Sequence, residues 1–120
     1  MPHQVVEYGD KRILYADAGK TIETLQDGLD LVSACWENHA SLLMIPSASL
    51  SEAFFHLRTG LAGEILQKWG NYQIKAAAVL SPDQKIQGKF QDFILETNRG
   101  SGFRIFAAEE EALACLTQEA

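Results

Sequence analysis

The chain has 120 residues, 47% hydrophobic and 22% charged, which suits one folded α/β domain spanning 1–120 and argues against disorder, collagen-like repeats or a disulfide scaffold. Ten Lys and Arg against sixteen Asp and Glu leave a net charge of −6, so neither nucleic acid nor an anionic membrane surface is an expected partner. No apolar run approaches the roughly 20 residues of a spanning helix. Met1-Pro2-His3-Gln4 has neither the basic flank nor the apolar stretch of a signal peptide, so a cytoplasmic location is expected.

Val5 to Tyr8 and Arg12 to Asp17 read as two short strands joined by a Gly9-Asp10 turn. Thr21 is in place to cap a helix whose stripe is Ile22, Leu25, Leu29, Val32 and Trp36, and Asn38-His39 ends it. Ser41 to Pro46 is a continuous apolar run, the pattern of a strand buried on both faces. Ser49-Leu50-Ser51-Glu52 has capping-box form and opens a short helical turn through Phe55. Thr59 is the expected cap of the next helix, which lays Leu61, Ile65 and Trp69 on one face and stops at Gly70-Asn71.

Gln73 to Leu80 is the next strand, closed by Ser81-Pro82-Asp83. A helix carrying Ile86, Phe90, Phe93, Ile94 and Thr97 on one side ends at Asn98-Arg99-Gly100. Phe103 to Phe106 is a last short strand, and Glu109-Glu110-Glu111 opens a final helix with Ala112, Leu113, Cys115 and Leu116 inward. The order β-β-α-β-α-β-α-β-α predicts one mostly parallel sheet with an antiparallel hairpin at its N-terminal edge.

Few residues point to chemistry. His3, His39 and His56 fall in three separate segments without ligand spacing, so neither a metal nor another cofactor is expected. Gly19-Lys20-Thr21 ends as a phosphate loop ends, but Leu14 stands where its first glycine belongs. Gly100-Ser101-Gly102 fails as a dinucleotide fingerprint at Ile105, so both near-matches read as turns. Cys35 and Cys115 lie in apolar helical stretches and read as buried free thiols. There is no nucleophile elbow, and Glu52 with His56 reads as a solvated pair, so no catalytic residue is assigned.

The unusual stretch is Arg58 to Lys68. Gly60 and Gly63 near a helix start each cost about 0.5–1 kcal/mol relative to alanine. Either the glycines allow a neighbour to pack closely while Thr59 caps, or the amides of the first turn face a partner or an anionic ligand. Arg99 at a helix C-terminus complements the dipole and is equally able to bind an anion.

Phe54-Phe55, the run from Leu57 to Lys68, Asn71-Tyr72, Asp92-Phe93-Ile94, Glu96 and Asn98-Arg99-Gly100 together resemble the bacterial family of domain of unknown function 4180 over nearly the whole chain. Leu80-Ser81 stands where that family has Gly-Asp. The element order is also similar to the STAS domain of anti-sigma-factor antagonists, in which Asp-Ser-Ser-Gly-Leu-Gly opens the second helix and its second serine is phosphorylated. On that pattern Thr59 falls at the phosphorylatable position of Arg58-Thr59-Gly60-Leu61, and Leu57 replaces the aspartate.

The resemblance implies a non-enzymatic, STAS-like interaction or regulatory module, with Arg58, Thr59, Gly60, Gly63 and Glu64 meeting a protein partner. The alternative is a binding domain or minor enzyme for a small anionic metabolite, held between the start of helix 59–69 and Arg99 or Lys68, beside Gln67, Tyr72 and Asn98. Trp36, Trp69, Phe54 and Phe55 read as core; an exposed aromatic patch among them would instead favour a homodimer.

Overall fold

The computed structural model describes residues 4–16, 21–56, 60–80, 88–99 and 103–117. Strands β1 (Gln4–Tyr8) and β2 (Lys11–Tyr15) form the expected hairpin, and Gly9 adopts the left-handed conformation (φ 67°) that a two-residue turn demands. Three further strands, β3 (Leu42–Pro46), β4 (Lys75–Val79) and β5 (Arg104–Phe106), add in parallel, giving one five-stranded sheet in the order β1-β2-β3-β4-β5. The helices are α1 (Leu25–Glu37), α2 (Glu52–Phe55), α3 (Leu61–Asn71), α4 (Gly88–Arg99) and α5 (Glu109–Thr117).

Alternation along the strands sorts the core into two layers. Leu14, Leu43, Ile45, Ala76, Ala78 and Ile105 face the layer of α1 to α4. Ile13, Leu42, Met44 and Ala77 face α5, whose Ala112 and Leu116 cover them. Phe54 of α2 anchors the larger layer through edge-to-face contacts with Phe93 and Phe103, at centroid distances of 5.6 and 6.1 Å.

The start of α1 differs from the sequence reading. Its N-cap is Thr24, whose hydroxyl accepts from Asp27 N–H while the Asp27 carboxylate accepts from Thr24 N–H, a complete capping box. Ile22 lies before the helix in an isolated parallel bridge to Leu50. The inward stripe is accordingly Gly28, Leu31, Val32 and Cys35, while Trp36 turns outward and is 57% exposed. Similarly, α2 is capped by Ser51, which accepts from Phe54 N–H, and Ser49 belongs to the 3₁₀ turn before it.

The N-cap of α3 is Gly60, at φ 71°, rather than Thr59. Cys35 is buried as expected, which pushes its thiol up to about 12; Cys115 is only half-buried because it lies between the inward and outward faces of α5. No described helix is long and apolar enough to cross a membrane.

Candidate functional site

α3 leaves the carboxyl end of β3 by way of α2 and returns to the amino end of β4. Its first turn therefore sits at the carboxyl end of the parallel strands, where such sheets usually present their functional loops. The first turn is closed by Glu64 N–H donating to Gly60 C=O at 3.0 Å. Gly60, Gly63, Glu64, Gln67 and Lys68 are all exposed. Arg58 and Thr59 lie outside the described residues, as do the near-motifs at Gly19-Lys20 and Gly100-Ser101-Gly102.

Close packing does not explain Gly63. Among the described residues nothing lies within 4 Å of where its Cβ would stand, and the same holds for Gly60 and Gly70. Gly60 is required by its left-handed φ, but Gly63 leaves a patch on the exposed face of α3 that no described residue covers. The close approach occurs instead at Gly28, where a Cβ would fall 2.8 Å from Ile65 Cγ2 of α3. One turn further along α3, Trp69 Nε1–H donates to Gly28 C=O at 3.0 Å, so a glycine on α1 locks the two helices together. A glycine on the buried stripe of an amphipathic helix was the available signal for this contact.

Asn98 and Arg99 are elsewhere. α4 runs from the carboxyl end of β4 to the amino end of β5, so its last turn lies at the opposite end of the sheet from Gly60. The Asn98 side chain is engaged with β5, accepting from Ile105 N–H at 2.9 Å and donating to Ile105 C=O at 3.2 Å. Arg99 makes a long contact to Glu96, 3.8 Å, with both side chains mostly in solvent. Lys68 is a turn or more down α3 from its start. The structure thus groups Gly60, Gly63 and Glu64 and does not bring Arg99 to them.

The carboxyl end of the sheet is also stitched between β2 and β3. Ile22 N–H donates to Ser49 C=O at 2.7 Å, Ser51 Oγ–H donates to Ile22 C=O at 2.5 Å, and Ile22 and Leu50 are both buried. The strand order never reverses along the sheet, so it contains no switch point at which neighbouring crossovers part to leave a crevice. At the other end, an open cleft of about 390 Å³ lies among Leu66, Trp69, Gly70, Gln73, Ile74 and Phe103. Lys75 also borders it, but its ammonium donates to Cys115 C=O at 2.8 Å. Beside α3's last turn, Trp36 and Tyr72 form an exposed edge-to-face pair, 5.1 Å between centroids, although the hydrophobic spacing of α1 puts Trp36 in the core.

A family model described as a domain of unknown function, DUF4180, matches residues 8–116. The chain belongs to the DUF4180 family. No curated protein and no solved structure matches it.

Proposed function

We propose that this DUF4180 chain is a non-enzymatic interaction or regulatory module, working in a STAS-like way through the exposed start of α3. The observation that carries the reading is Gly63, a glycine in the first turn of α3 that no described neighbour requires and whose absent side chain leaves the helix face bare of described neighbours. Retaining it against its helix penalty makes sense where another surface must come close to the backbone. The stitched, unreversed sheet supports a partner laid on the surface over a small molecule held in a crevice. Arg58, Thr59 and Glu64 would supply the polar contacts around Gly60 and Gly63.

In this reading Thr59 is the control point. A phosphate there would add about −1.5 to −2 charge next to the positive end of α3, ordering the segment or repelling an acidic partner. The test is co-purification from the native host with mass spectrometry of the Thr59 peptide, comparing wild type, Thr59→Ala and Thr59→Glu. The expected result is a partner retained by one of the two variants and lost from the other, with unchanged circular dichroism. Equal capture by all three proteins would refute the Thr59 switch.

A further inference from the structure

The sheet has two edges, β1 and β5, and they are treated differently. Leu80 N–H donates to Phe106 C=O, which directs the backbone of Phe106 at the β4 side and leaves Ile105 facing outward. Asn98 takes up both outward groups of Ile105, and Thr97 Oγ1–H donates to Phe103 C=O at 2.7 Å. Side chains of α4 thus occupy the places an added strand would need. Among the described residues, no side chain forms such a cap at β1 and no strand lies beyond it.

The outward groups of β1 follow from the register. Ala16 N–H donates to Met44 C=O, so Arg12, Leu14 and Ala16 direct their backbone at β3, and Lys11, Ile13 and Tyr15 theirs at β1. Their partners Tyr8, Val6 and Gln4 are therefore the bonded residues of β1, which leaves the N–H and C=O of Val5 and Glu7 facing away from the sheet. Such a row is a template for another strand. Natural edges are commonly protected by charged side chains, Pro or a bulge; Gln4–Tyr8 has no Lys, Pro or bulge, and its one charge, Glu7, is paired with Arg12 of the same hairpin.

The complement of this edge is the edge itself. We propose that two copies of the chain pair antiparallel through β1 about a two-fold axis at Val6, joining their sheets into one. In that register Val5 of each copy exchanges backbone hydrogen bonds with Glu7 of the other. Val6 meets Val6 of the second copy at the non-hydrogen-bonded position, where Cα atoms approach to about 4.5 Å. Centring the axis on Glu7 would set two carboxylates opposite each other, and centring it on Val5 would leave Glu7 and Tyr8 of both copies unpaired.

With the axis at Val6, Glu7 faces Val5 and keeps its ion pair with Arg12 at 2.8 Å. The pairing also covers Val6 and Tyr8, which are 40% and 53% exposed in the single chain. A five-residue edge is a small interface, so the dimer forms reversibly with concentration. It uses a different surface from the start of α3 and stands independently of the function proposed there.

The test is sedimentation of the wild-type chain from micromolar to millimolar concentration, alongside Val6→Lys and Val6→Glu. Expected are a concentration-dependent dimer for wild type, monomers for either variant alone, and a restored dimer when the two variants are mixed. Independently, Val6→Cys should cross-link between chains on oxidation beyond the wild-type background. Tyr8→Cys should not, because in this register its two copies lie about 14 Å apart. A wild type that stays monomeric throughout, a dimer indifferent to Val6→Lys, or equal cross-linking by both cysteine variants would overturn the proposal.

Discussion

A methyl group on Gly28 would sit 2.8 Å from Ile65 Cγ2, on a side chain that is itself fully buried and has nowhere to move. Overpacking of that kind costs about 1–3 kcal/mol, more than the ~1 kcal/mol that alanine returns in helix propensity. Gly28→Ala is therefore expected to destabilise the chain by about 1 kcal/mol. Gly63→Ala meets no described residue and is expected to stabilise it by roughly 0.5–1 kcal/mol. Urea unfolding of the two variants checks the contrast. From sequence alone the hydrophobic pattern puts Gly28 on the apolar stripe of its helix and Gly63 off it, but does not say what packs against either. What separates them is whether α3 or solvent lies opposite.

At the scale of the element, Asn98 shows how a helix end finishes a sheet. Its amide reproduces both hydrogen bonds that a sixth strand would offer Ile105. Asn98→Ala returns those groups to water and removes two bonds of about 1 kcal/mol each. The expected outcome is a loss of about 2 kcal/mol in unfolding free energy, together with faster hydrogen exchange at the Ile105 amide. If Asn98 served only a ligand, neither quantity would move. The sequence pattern marks Asn98 as a polar residue at a helix C-terminus, which fits a binding residue and a strand cap equally well. The deciding partner is a backbone seven residues away.

For the molecule as a whole, the notable asymmetry is between the two sheet faces. Four helices line one, whereas α5 is the described helix on the other. Besides its apolar contacts, α5 is tied down by Lys75 at its C-terminal end and by Tyr15 Oη–H donating to Glu109 at 3.1 Å near its start. Burial first, then the Glu109 hydrogen bond and charge, raise the Tyr15 phenol from 10.0 to about 12. The neutral phenol is thus favoured in the folded chain, and its contribution is complete below about pH 10 and lost as pH rises through about 12. Tyr15→Phe, having no phenol to ionise, should lose stability less steeply than wild type across that window in urea unfolding at a series of pH values.

Hydrophobic periodicity and turn residues were enough for the sequence to reveal the hairpin at Gly9-Asp10, the doubly buried run ending at Pro46 and the mostly parallel α/β order. These are local signals, with side chains alternating or recurring within one element and a turn residue meeting its own φ. The sequence also pointed to the start of helix 59–69 as unusual, because two glycines there oppose helix propensity. It could not show that Gly63 is bare while Gly28 is packed, that Trp36 faces out, that Asn98 caps β5, or that Arg99 lies at the far end of the sheet from Gly60. Each of these depends on which element comes to lie opposite a residue, and that is settled by packing across the sheet, between segments distant in the chain.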